Sequence, residues 1–261
     1  LIQEGISLDA LRSSLKKEWI IETISLFNAG ENLISSQLQY PILTKDQEEA
    51  FEQIKNCQIE EIFCEFLLLG ITGSGKTEIY LRVTEEALKQ GKGSIILTPE
   101  IALTSQLVYR FEKRFGNQIA VFHSAMSLGE KRTAWARVQS GEATIVIGAR
   151  SALFAPIKNL GLIILDEEHE FTYKQEDHPR YHAREVAKKR AQIENAVLIL
   201  GSATPSLESY YQTLQGSSQL LELPNRIGES ILPDIEIVDM RKELKKGNKT
   251  ILSASMRNLI T

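Results

Sequence analysis

The chain has 261 residues and a formal net charge of −4, long enough for one complete α/β domain with pieces at either end. A pI near 5.7 excludes a globally basic protein, so any nucleic-acid surface must be local. No run of about 18 apolar residues occurs, which excludes a membrane-spanning helix of ordinary kind, and the first twenty residues mix charges with apolar positions, unlike a signal peptide.

Residues 7–22 open on a capping Ser7 and set Leu8, Leu11, Leu15 and Trp19 at helical spacing. The spacing predicts an amphipathic helix, with the β-like stretch WIIETISLF behind it forming a small helix-and-hairpin unit. Residues 28–40 are polar and read as a linker, and Pro41 marks entry to the main domain. From Thr44 the segment TKDQEEAFEQI predicts a capped helix, with Gln47 serving either as the capping-box side chain or as a group that reads an adenine edge. Cys57 and Cys64, the two cysteines, carry no secretory mark and are expected as reduced thiols; alone they lack the ligands for zinc.

The stretch FLLLGITGSGKTEIYLRV, residues 66–83, passes from an apolar run through glycines into a helical pattern. Gly70, Gly75, Lys76 and Thr77 fit G-x-x-x-x-G-K-[ST], with Thr72, Gly73 and Ser74 inside the loop. Backbone N–H groups there close around phosphates, the ammonium neutralises charge, and the hydroxyl suits Mg²⁺. The positive end of the helix that begins at Lys76 adds to this. Such a loop implies a nucleoside triphosphate.

Beyond it the chain alternates: helix 76–90, strand 94–98, helix 101–115, strand 119–123, helix 127–139, strands 143–148 and 160–167, helix 183–194 and strand 196–201, which closes the series. Apolar strands separated by amphipathic helices predict a parallel sheet covered on both faces, with ligands at its carboxyl edge.

At that edge Leu162–Glu167, LIILDE, is a buried strand delivering Asp166 to Mg²⁺ and Glu167 to a water. Phosphoryl transfer needs such parts because it rests on positioning and charge neutralisation. Ser202 and Thr204 in GSATP either cap a helix or relay between nucleotide and a second ligand. Thr98 and Arg150 end two other strands and suit a phosphate backbone, with capping as the alternative. Residues 169–190 hold three of the four histidines with Phe171, Tyr173, Tyr181, Lys174, Arg180 and Arg184. Aromatic rings among cations suit bases and phosphates, at ~1–3 kcal/mol per stacked base; the alternatives are a packed surface loop or, last, a metal held by His178 and His182 around Pro179.

Together GITGSGKT, LTPEIALTSQL, FHSAMSLGEKRTAWARVQSGEATIVIGARSALFAP, ILDEEHEFTYKQ, RYHAREVA and GSATPS resemble the first motor lobe of the bacterial replication-restart helicases of superfamily 2, over roughly residues 43–223. The resemblance implies a RecA-like P-loop NTPase domain, 41–225, preceded by a winged-helix remnant and linker, 1–40, and followed by the connector to a second lobe, 226–261. It implies a 3′-to-5′ DNA helicase using ATP and Mg²⁺ at Lys76, Thr77, Asp166 and Glu167, with Gln47 in the adenine-reading segment. His169 and the loop from Phe171 to Arg184 would couple DNA binding to hydrolysis. Primosome and single-strand-binding proteins are the implied partners, the bacterial cytoplasm the implied compartment, and zinc is expected only in a part of the family's proteins with no counterpart here. Ala149 stands where the family usually has Thr, and His178-Pro179 where it usually has an aromatic residue. The second lobe carries the family's arginine finger, so the chain alone is expected to hydrolyse ATP poorly. A nucleotide-gated DNA-binding module without translocation, or another helicase of the superfamily, is the rival reading; a water-activating Glu167 favours the motor.

Overall fold

Apolar runs of a common direction build the sheet. The computed structural model, which describes residues 40–99, 106–228, 235–245 and 247–260, places strands β1 at Cys64–Gly70, β2 at Gly93–Leu97, β3 at Ile119–Phe122, β4 at Ile145–Gly148 and β5 at Leu160–Asp166. Two short strands, β6 (Lys174–Gln175) and β7 (Tyr181–His182), pair as an antiparallel hairpin, and β8 (Val197–Ser202) and β9 (Gln219–Leu223) complete the set. The large sheet runs β3-β4-β2-β5-β8-β1-β9 with parallel pairing throughout. The helices are α1 (Lys45–Glu60), α2 (Lys76–Lys89), α3 (Gln106–Phe115), α4 (Leu128–Ser140), α5 (Ala183–Glu194), α6 (Leu207–Leu214), α7 (Met240–Lys245) and α8 (Ala254–Ile260).

Successive strand residues point to opposite faces, and the core divides accordingly. Leu68, Ile96, Ile164 and Ile199 meet Ile54 of α1, Ile79 of α2 and Phe111 of α3. Leu67, Ile95, Ile163 and Leu198 meet Val138 of α4 and Ala187 of α5. Helices therefore cover both faces, which makes the fold an α/β RecA-like one. Ala183, Ala187 and Ala191, spaced by four, put the smallest side chains of α5 against the sheet, and all three are buried. Thr44 caps α1 with the reciprocal pair expected: Gln47 N–H donates to its hydroxyl, and Thr44 N–H donates to Gln47 Oε1.

Several expectations change. Strand 196–201 does not close the series, because the chain continues through α6 and adds β9 beside β1. The strands expected at 119–123 and 143–148 are shorter, and the aromatic loop contains the β6–β7 hairpin. Cys57 and Cys64 are not free thiols. They form a disulfide, with 6.3 Å between Cα atoms, because the chain reverses through Glu61 in the left-handed region and brings the end of α1 beside the first residue of β1. The helix expected over 7–22, the linker up to residue 39 and the first turn of helix 101–115 lie outside the described residues. Among the described residues no helix is long and apolar enough to cross a membrane.

Ile199 on β8 is fully buried and Ile193 on α5 is exposed. Ile199→Ala should cost about 2–4 kcal/mol in urea unfolding through lost burial and the cavity left behind, and Ile193→Ala less than about 0.5 kcal/mol.

Candidate functional site

Because β5, β8 and β1 are neighbours in the sheet, the loops that follow them lie side by side at the carboxyl edge. The register sets Asp166 level with Gly201, and Ser202 level with Leu69. Three of the expected groups are thus brought together by strand order alone.

The loop after β1 turns through Gly70, Thr72, Gly73, Ser74 and Gly75 into α2. Gly75 has φ +86°, and a Cβ there would overlap the Gln47 amide and the Ile227 side chain, so only glycine fits. Gln47, open in the sequence between cap and adenine reader, is buried, and its Nε2 donates to the Ser74 carbonyl at 2.7 Å. It caps α1 and braces the loop at once. Lys76 Nζ donates to the Gly70 carbonyl at 2.6 Å. Thr77 sits partly exposed in the first turn of α2, and the Ser74 hydroxyl is buried without a partner. Past β9 the chain crosses back, and Ile227 N–H donates to the Gly73 carbonyl at 2.9 Å.

Asp166 ends β5 after six buried residues. Burial, and next the charge of Glu167, push its carboxyl up to about 6, against the opposing pull of a hydrogen bond from Tyr80 and the charge of Lys76. The Tyr80 hydroxyl donates to Asp166 Oδ1 at 3.0 Å, and a Cβ at Gly201 would overlap that hydroxyl. Burial first, then the Asp166 charge, raises Tyr80 well above the usual phenol range and keeps it a donor. Glu167 takes the left-handed region, φ +48°, unusual for a residue with a side chain and costing about 1–2 kcal/mol. Its carboxylate lies 3.7 Å from His169 Nδ1, which is 2.8 Å from the Ser202 hydroxyl. Ser202 Oγ also accepts from Thr204 N–H at 3.0 Å.

The aromatic loop divides into exposed and committed residues. Phe171 is 91% exposed, and Lys174 and Arg180 are exposed as well. Tyr181 packs edge-on to Phe154, 5.4 Å between centroids. Arg150 donates to the Thr172 and Lys174 carbonyls at 2.8 and 2.9 Å, clamping the start of the hairpin. Two residues expected at nucleic acid turn inward instead. Tyr173 is buried, its hydroxyl donating to the Asp166 carbonyl at 2.6 Å, because the 3₁₀ turn Phe171–Tyr173 rotates it toward β5. Arg184 pairs with buried Glu168 at 3.1 Å. Thr98 is buried too, its N–H on the Gly148 carbonyl. Between β2, β3, β4 and the hairpin lies a cleft of about 570 Å³ that holds Thr98 and Arg150 together with His123, Lys131, Trp135 and Tyr181.

Tyr80, Glu168 and Ile227 enter the site with no motif to announce them. Tyr80 follows Lys76 by one helical turn, a spacing that marks a shared face. Glu168 stands out only as a third acidic residue after a buried strand, and Ile227 has no signal in the sequence.

A phosphate loop, a strand-end carboxylate pair and a serine-threonine turn on adjacent parallel strands define a RecA-like nucleotide-binding lobe. A family model described as DEAD/DEAH box helicase matches residues 44–213, and the chain belongs to that family. It is 51% identical over 214 residues to replication restart protein PriA of Bacillus subtilis (strain 168), covering 82% of this chain and 27% of that protein. With the protein of the same name from Synechocystis sp. it shares 48% over 227 residues, covering 85% and 27%. The chain spans about a quarter of the length of these curated relatives. The structure of RecG bound to a three-way DNA junction matches with a TM-score of 0.53 and 23% identity over 73% of this chain and 25% of that one, which shows the shared fold.

Asp166 gives a pH-dependent test. Its folded pKa of about 6 lies above the ordinary carboxylate value of 3.8, so the folded state binds more protons between the two. Stability contributed by this group is therefore full below about pH 4 and declines by roughly 2–3 kcal/mol as pH rises through about 6. In chelator, Asp166→Asn should raise the melting temperature at pH 8 and lose that advantage near pH 4, as followed by circular dichroism.

Proposed function

We propose that this chain is the nucleotide-binding first lobe of an ATP-driven DNA motor that acts in replication restart. The observation that carries the reading is the convergence of Lys76, Asp166–Glu167 and His169–Ser202 on one sheet edge, next to a loop whose Phe171 stands free. Likeness to proteins named for replication restart supplies the biological setting.

The residues present fit Mg·ATP. A buried Ser74 hydroxyl lacks a partner, and Asp166 is held charged only against the cost of burial; both needs are met by a cation and a polyphosphate. Thr77 and Asp166 would hold Mg²⁺, which neutralises phosphate charge. Amides of residues 72–77 would surround the phosphates, and the Lys76 ammonium would exchange the Gly70 carbonyl for a phosphate oxygen as its acceptor. Glu167 orients the attacking water and takes its proton. His169 links that carboxylate to Ser202, and so to the turn through Thr204.

On the DNA side Phe171 and Tyr181 stack on bases while Lys174, Arg180 and Arg150 meet phosphates. Tyr173 joins the loop to Asp166 from within. Gln47, its amide taken by Thr44 and Ser74, serves the site by holding the phosphate loop from behind. By resemblance the whole protein would translocate 3′ to 5′, use a second lobe's arginine, work with primosome and single-strand-binding proteins, and reside in the bacterial cytoplasm, with zinc held outside this chain.

The test is steady-state ATPase of the full-length protein with and without single-stranded DNA. Glu167→Gln should lose turnover about a hundredfold or more while still binding ATP, and Phe171→Ala should lower DNA stimulation several-fold. Turnover indifferent to DNA, or undiminished in Glu167→Gln, would contradict the reading.

A further inference from the structure

Glu168 has no part in the chemistry above, yet it is the most committed carboxylate near the site. Its side chain is fully buried. Oε1 accepts from Ser206 N–H at 2.7 Å, and Oε2 accepts from the Ser206 and Ser209 hydroxyls at 3.2 and 2.9 Å and from Arg184 Nη1 at 3.1 Å. Arg184 Nη1 also donates to the same two hydroxyls, at 2.7 and 2.9 Å. One cluster thus joins three segments: the residue after Glu167, the foot of the β6–β7 hairpin where α5 begins, and the N-terminal cap of α6 after the Ser202–Thr204 turn.

Glu168 N–H donates to the Gly201 carbonyl at 3.0 Å. With its N–H on Gly201 and its side chain held in the cluster, Glu168 anchors the residue next to Glu167, which sits at φ +48° and whose carbonyl accepts from Glu170 N–H at 3.0 Å. A strained conformation lasts only where its surroundings over-determine it. Glu167 is therefore flanked by a residue whose partner, Arg184, stands in the first turn of α5, two residues past the end of the hairpin. A mere packing peg would not need charge: buried ion pairs replaced by apolar residues of similar volume are often as stable or more so.

We propose that the Glu168–Arg184 pair is a latch that transmits the position of the DNA-facing hairpin to Glu167 and to the Ser202–Ser206 turn, making both positioning residues for hydrolysis. The proposal rests on the motor reading and adds to it the path by which DNA engagement reaches the water.

The test uses the full-length protein, a poly-dT oligonucleotide, ATP, and the double variant Glu168→Met/Arg184→Met, whose apolar pair keeps the volume. The expected result is a folded protein with DNA affinity within about threefold of wild type and a DNA-stimulated to unstimulated ATPase ratio lowered at least about tenfold. Arg184→Lys, which keeps the charge but shortens the side chain that brings Nη1 to three acceptors, should lower the ratio less, and it carries the test by the same readout if the double variant does not fold. A ratio retained within about twofold in folded variants overturns the latch while leaving the motor reading intact. DNA affinity that falls in step with the ratio overturns it as well, making Arg184 a DNA contact. A wild type that DNA does not stimulate overturns the motor reading, and the latch with it.

Discussion

The site depends on one carboxylate held at the end of a dry strand. Asp166 follows six buried residues of β5, where burial disfavours its charge, yet its surroundings fix its direction: Tyr80 on one oxygen, Tyr173 on its own carbonyl. Holding a carboxylate where burial opposes its charge leaves an electrostatic demand that a cation answers. The phosphate loop is braced to the same end. Gln47 holds it from behind, Ile227 from above, and Lys76 rests on the Gly70 carbonyl.

Strand order divides the carboxyl edge into two working halves that share β5. On one side β5-β8-β1 gathers the phosphate loop, Asp166–Glu167 and Ser202, and on the other β2, β4 and β3 frame the cleft with Arg150 and Trp135. The hairpin after β5 spans the boundary. Arg150 holds the Thr172 and Lys174 carbonyls at its start, and Arg184, just past its foot, pairs with Glu168.

Legibility follows the range of each interaction. The phosphate loop, the capping box at Thr44 and the apolar strands are local patterns, and each is visible in a short window. Tyr80 is not, because its partner lies 86 residues away. Composition reports residue type but not direction, so Tyr173 and Arg184 read as members of an aromatic, basic surface although a 3₁₀ turn and a helix start point them inward. The disulfide between Cys57 and Cys64 is hidden for a related reason: the reversal at Glu61 that joins them needs a left-handed residue where the sequence has no glycine. Strand β9 is missed because only its pairing with β1 gives a short, half-apolar segment a place in the sheet.

Nucleotide bound at the edge formed by β1, β8 and β5 should be felt in the turn after β8. Hydrogen–deuterium exchange of the chain with and without Mg·ADP tests it most directly. Protection of the amides at 72–77, extending to 166–169 and 201–206, is the predicted result. Exchange unchanged at 72–77 under saturating nucleotide, or protection confined to another surface, would contradict it.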